Sequence, residues 1–201
     1  GHVDFSAEME RTLQVLDYAI LVVSGADGVQ GHTRTLWNLL ARYQVPTFIF
    51  INKMDQDGTD RQDRLTELKR KLSEECVDFT EAGEEFLEEL SMCDETVMES
   101  YLENGEITAS QIQTLIRERK VFPCYFGSAL KLEGVQELLD GLKKYMDGPV
   151  SGTHAEEAFG AKVYKISRDS QGSRLTHVKI TNGAGSYTHL RAHETPEHLV
   201  C

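Results

Sequence analysis

Three unbroken apolar runs constrain this chain's fold more than any other feature of its sequence. They are Ala19-Ile20-Leu21-Val22-Val23, Thr47-Phe48-Ile49-Phe50-Ile51 and Phe122-Pro123-Cys124-Tyr125-Phe126, the last weakened by its proline. A strand with one wet face alternates apolar and polar residues, so continuous runs predict strands covered on both faces. Helical spacing fills the intervals. Thr33, Leu36, Leu40 and Tyr43 share one helix face, as do Leu65, Leu68 and Leu72. Phe86, Leu90, Cys93, Val97 and Tyr101 make one longer stripe. Ile112, Leu115 and Ile116 follow a Thr/Ser start signal, and Val135, Leu138, Leu139, Leu142 and Tyr145 close the series. Strands alternating with helices predict an α/β fold with a parallel sheet, whose ligand sits at the carboxyl ends of the strands. After Gly148-Pro149 the pattern changes. Phe159 to Ile166 and Thr176 to Ile180 read as strands around the turn residues Arg168 to Gly172, the start of an all-β module.

Composition excludes little. The 201 residues contain no apolar stretch long enough to span a membrane and no secretory signal pattern. Cys76, Cys93, Cys124 and Cys201 lie far apart in sequence without zinc spacing, which predicts separate reduced thiols and a cytoplasmic setting. The net charge of −12 comes from one segment: Ser73 to Ile107 holds thirteen Asp or Glu and no Lys or Arg. The rest is near neutral, so net charge does not decide about RNA contact. The acids read as the solvated outer face of a helical insert, with docking to a basic protein as the functional alternative.

The chemistry gathers at strand ends. Asn52-Lys53-Met54-Asp55 directly follows the second apolar run. A carboxylate in the plane of a purine accepts from both N1–H and the 2-amino group of guanine, and adenine offers neither donor there. A purine that left such a carboxylate buried and unpaired would be rejected by several kcal/mol. The lysine stem can cover the base and the asparagine can tie neighbouring loops. The bland alternative is a polar turn after a strand. Gly127-Ser128-Ala129 follows the third run, where backbone N–H groups can meet guanine O6; its bland alternative is a helix entry capped by Ser128. Gly1-His2-Val3-Asp4-Phe5 opens the chain, and Gly-His at a terminus is also a common cloning remnant.

Together these residues carry a resemblance. Gly1-His2-Val3-Asp4-Phe5 resembles the end of the D-T-P-G-H-V-D-F motif of translation factors. Glu8-Met9-Glu10-Arg11, Val15-Leu16-Asp17, Ala26-Asp27-Gly28-Val29-Gln30, N-K-M-D, G-S-A and Gly134-Val135 follow in the family's order. Over about residues 1–185 the chain is similar to the translational GTPases that include elongation factor G and the tetracycline-resistance ribosomal protection proteins. Asp55-Gln56-Asp57-Gly58-Thr59-Asp60 and the compact insert lean toward the protection branch.

The resemblance implies roles. Asn52, Lys53 and Asp55 would bind guanine of GTP or GDP, with Ser128, Ala129 and Leu130 beside them. Gly1 would contact the γ-phosphate, and His2 would orient the attacking water when the ribosome's sarcin–ricin loop engages. Ribosomal RNA and proteins would be the partners, with no DNA and no membrane. It also implies a partial P-loop-type GTPase domain over 1–148, with its first strands missing and an insert at about 66–120. A linker and the start of a β-barrel domain would occupy 149–185.

Departures from the family pattern carry expectations of their own. No G-x-x-x-x-G-K-[ST] loop occurs in the 201 residues, and the Mg²⁺-ligating threonine and aspartate of the family have no counterpart. This chain alone is expected to hydrolyse GTP negligibly. The family's first strand is expected between the strands at 19–23 and 47–51, which would leave a gap there and a marginally stable sheet. Residues 186–201 resemble the conceptual translation of a sequencing adaptor rather than further strand, so their histidines, His189, His193 and His198, are not read as a metal site.

Overall fold

The computed structural model describes residues 6–81, 83–146 and 160–182. Asp17–Met146 form one compact unit. Its sheet contains β1 (Ala19–Ser24), β2 (Thr47–Asn52), β3 (Cys76–Asp78) and β4 (Phe122–Phe126) in the order β1-β2-β4-β3, all parallel. Helices α2 (Gly31–Arg42), α3 (Arg61–Lys71), α4 (Glu84–Ser91), α5 (Glu95–Asn104), α6 (Ala109–Arg117) and α7 (Val135–Tyr145) connect the strands.

Two cores flank this sheet. On one face Leu21, Val23, Ile49, Ile51, Cys124 and Phe126 meet Trp37 of α2 and Leu65 and Leu68 of α3. On the other, Phe48, Phe50, Val77 and Tyr125 meet Leu90, Leu115, Ile116, Leu138 and Tyr145. The continuous apolar runs of β2 and β4 are thus covered twice, as their pattern predicts. β1 is not: Ile20 and Val22 remain 47% and 58% exposed. It lies at the sheet's edge, and the second-face core lies over the other three strands.

The expected gap between the first two apolar runs does not exist. β1 and β2 pair directly in parallel from Ala19↔Thr47 through Ser24↔Asn52. Six matched residues leave no room for a strand between them, so the sheet needs none there. β4 is a central strand despite Pro123. The N–H of Phe122 donates to the Glu75 carbonyl, and the ladder with β2 begins at Ile49↔Cys124, just past the residue that lacks a donor.

The acidic segment departs from expectation twice. It contains strand β3, whose three residues are all buried, so Asp78 belongs to the domain interior rather than to an outer face. Its long stripe is also two helices. The Asp94 side chain accepts from the N–H groups of Thr96 and Val97 and starts α5 afresh, because a capping carboxylate satisfies donors that a continuous helix would not leave free. The next helix follows the sequence closely: Thr108 and Gln111 form a reciprocal capping box at the start of α6.

Cys76 and Cys124, distant in sequence, share one core cluster on adjacent strands, and both are free thiols, as is Cys93. Burial pushes the Cys93 thiol up to about 11, with Glu75 adding to the shift. The Cys124 thiol is raised too, by burial and then by Cys76. Cys93 and Cys124 therefore stay protonated at neutral pH, and the buried thiols act as small core hydrophobes.

A second unit draws on residues up to Leu16 and from Asp147 onward. Its described parts are α1 (Ser6–Leu13) and an antiparallel hairpin of β5 (Gly160–Arg168) and β6 (Arg174–Asn182). Asp169 Oδ1 accepts from the N–H groups of Gln171 and Ser173, and Gly172 takes φ +85°, which closes the turn as its residue types predict. Lys162 Nζ and Lys179 Nζ donate to the carbonyls of Gln14 and Val15, at 3.0 Å and 2.7 Å. Cations there complement carbonyls left over at a helix C-terminus. The expected linker lies outside the described residues, as do 186–201.

Candidate guanine-binding site

The carboxyl ends of β2 and β4 bring two loops together. At the end of β2 the chain turns sharply, and Lys53 adopts φ +65°, an uncommon conformation for a residue with a Cβ. Asn52 offsets that strain. Its Oδ1 accepts the Lys53 N–H at 2.9 Å and the Ala129 N–H at 2.8 Å, so one side chain fixes both loops. Backbone bonds add to the tie: Met54 N–H to the Gly127 carbonyl, Gly127 N–H to Ile51, and Gly25 N–H to Asn52. The Thr59 hydroxyl lies within reach of the Met54 and Gln56 carbonyls, closing the loop before Asp60 caps α3 through the Asp63 N–H.

The second loop is equally constrained. Ser128 N–H donates to the Glu133 carbonyl, and Glu133 N–H returns to Ser128. A β-carbon on Gly127 would run into the Glu133 carbonyl. Gly134 has φ +72°, and a β-carbon there would strike the Phe126 carbonyl. Only glycine permits that approach.

Asp55 sits between the loops. The Ser128 hydroxyl holds its carboxyl below the ordinary range, with a smaller contribution from Lys131. Lys131 Nζ stands 3.2 Å from Asp55 Oδ2, and the Asp55 side chain is 18% exposed. The result is an ionised, acceptor-only carboxylate, suited to a ligand edge that carries two donors.

Asn52, Lys53, Asp55, Ser128, Ala129 and Leu130 therefore lie around one position. Ser128 is not a helix cap, since Gly134 occupies the N-cap of α7 and the serine hydroxyl serves Asp55. Fewer backbone N–H groups are open at this loop than the sequence implies. The N–H groups of Ser128 and Ala129 are committed to Glu133 and Asn52, while that of Leu130 has no partner among the described residues. Gly1 and His2 lie outside the described residues.

Sequence reasoning missed two supports. Lys131 is one; its signal was a lysine two residues beyond G-S-A. The other is Arg61, which hydrogen-bonds Asp78 and Thr80 and lies 5.1 Å over the Phe126 ring, bracing the strand that leads into Gly127. No local pattern signals it, because its partners come from β3 and β4. Among the described residues no group of three His, Cys, Asp or Glu could hold a metal ion.

A parallel sheet with helices on both faces and paired loops at its strand ends is a doubly wound α/β architecture. Residues 1–147 match the family described as "Elongation factor Tu GTP binding domain". The chain belongs to this family of translational GTPases. It is 32% identical over 206 aligned positions to the tetracycline resistance protein TetP of Clostridium perfringens, covering 91% of this chain and 31% of that protein. A crystal structure of a protein from Thermus thermophilus superposes with a TM-score of 0.73 at 21% identity, over 91% of this chain and 34% of the other. The chain thus spans about a third of the length of either protein. No described helix is long and apolar enough to cross a membrane.

Proposed function

We propose that this chain carries the guanine-recognition half of a ribosome-dependent GTPase of the ribosomal protection type. The observation that carries the guanine reading is the single Asn52 side chain joining both loops, with the ionised Asp55 between them. In this reading Asp55 accepts guanine N1–H and the 2-amino group, Leu130 N–H faces O6, and the Lys53 stem lies along the base. Gly1 contacts the γ-phosphate and His2 orients the attacking water. The protein's part in such hydrolysis is positioning and electrostatic stabilisation, which makes one well-placed histidine sufficient for the water. Residues 1–148 act as the GTPase portion, and the hairpin after them begins a β-barrel domain that meets the ribosome.

The identity to TetP favours the protection branch; a translocation factor of the elongation factor G type is the second reading, favoured by the family match. A nucleotide-dependent binding factor without hydrolysis leaves His2 without a task.

The experiment is a titration of the 201-residue chain with labelled GDP, using ADP and unlabelled GDP as competitors. Weak binding displaced by GDP and not by ADP, and lost in Asp55→Asn, is expected. Equal displacement by ADP would overturn the guanine assignment. Ribosome dependence is read separately, from co-sedimentation with ribosomes in the presence and absence of tetracycline. A preference for drug-loaded ribosomes supports protection over translocation.

A further inference from the structure

We propose that Lys131 is a built-in competitor for the guanine edge of Asp55, so that the empty site is closed by the protein's own ammonium group and guanine must displace it. The inference rests on the guanine reading of this site.

The chemistry is a conflict of donors. Guanine presents N1–H and a 2-amino group, both donors, to the two oxygens of one carboxylate. Lys131 Nζ already stands 3.2 Å from Oδ2 of that carboxylate. An ammonium has three donors and no acceptor, so it cannot bridge to the incoming amino group, and its charge repels the donor hydrogens that approach the same oxygen, as a neutral hydroxyl does not. Ser128 need not leave, because a carboxylate offers about four lone-pair directions.

The rest of Lys131 allows the exchange. Its N–H donates to the Ser128 carbonyl at 3.2 Å, which fixes its backbone in the 128–131 turn. Its side chain is 52% exposed and has no other anionic partner among the described residues, so it can swing into water without disturbing the loop. A half-exposed pair is also weak enough to open. Lys131 thus occupies Asp55 Oδ2 while the site is empty, at the expense of guanine affinity.

The test uses guanosine, which is neutral, so that salt acts on the internal ion pair and not on phosphate attraction. Guanosine affinity of the full chain, Lys131→Met and Lys131→Arg is measured by ligand-observed NMR at about 50 mM and 500 mM salt, conditions spanning weak to strong screening. Lys131→Met is expected to bind about two- to fivefold more tightly, the scale of an exposed ion pair. Unmodified protein and Lys131→Arg gain affinity as salt rises, and Lys131→Met does not. Binding by Lys131→Met that equals or falls below that of the unmodified chain, while Asp55→Asn abolishes binding, overturns this inference and leaves the guanine reading intact. Guanosine binding that survives Asp55→Asn, or that is absent from both the unmodified chain and Lys131→Met, overturns both.

Discussion

The loops at the carboxyl ends of β2 and β4 and the helices α4 to α6 are held by different forces. In the loops, a few atoms do the holding: Asn52 Oδ1 takes two backbone N–H groups, and Gly127 and Gly134 stand where no β-carbon fits. In the helices, burial dominates. Leu90 and Ile116 are fully buried, while most of the acids face solvent. The loops should therefore be sensitive to the identity of single polar atoms, and the helices to lost volume. A site that must present donors and acceptors in fixed directions needs the first kind of construction; an insert that only has to stay attached can use the second.

The sharpest way to break this contrast is Leu90→Ala. It should destabilise the chain by about 2–5 kcal/mol in urea unfolding while leaving guanosine affinity of the folded fraction unchanged. A parallel loss of affinity would show the two regions to be coupled. Gly134→Ala comes next, at about 1–3 kcal/mol, from its φ of +72° and the collision with the Phe126 carbonyl. Here guanosine binding should fall with stability, since the strain enters the site loop directly. Asn52→Ala leaves two backbone N–H groups without their acceptor and should cost about 1–2 kcal/mol. Its effect on guanosine affinity, about tenfold, should exceed that of any single substitution in α4 to α6.

A smaller effect is read by pH. The Lys120 ammonium, and then Thr96, hold the Asp94 carboxyl well below the usual carboxylate range. A depressed pKa contributes stability that is present above the unfolded value, near about pH 4, and is lost as pH falls through the folded value. Asp94→Asn still caps α5 but cannot ionise. Its unfolding midpoint should therefore decline less than that of the unmodified chain between about pH 5 and about pH 2. An identical acid profile would remove Asp94 from the account. The smallest effect is Tyr125→Phe. The Tyr125 hydroxyl is buried against Gly141 with no hydrogen-bond partner among the described residues, so its removal should leave stability unchanged or raise it by up to about 1 kcal/mol.

Much of this architecture was legible in local pattern. The apolar runs became β1, β2 and β4, and the capping signal before Ile112 became the capping box of α6. N-K-M-D and G-S-A do meet at neighbouring strand ends. What escaped was short or non-local. β3 has three residues inside an acidic segment, too few to show a period. The break at Asp94 hid within an unbroken apolar stripe, because a stripe records facing and not continuity. The supposed gap between the first two runs depended on pairing, which no residue pattern within either strand encodes.

Chain pattern alone thus sufficed for the α/β class, the helix faces and the residue types at the candidate site, since each depends on neighbours within a few positions. Tertiary structure alone decided the strand order, the meeting of Cys76 and Cys124 in one core cluster, and the commitment of the Ala129 N–H to Asn52 rather than to a ligand. It also decided the placing of Lys131 on Asp55. These are distances between atoms brought together by how the whole sheet and its loops pack, and periodicity carries no information about them.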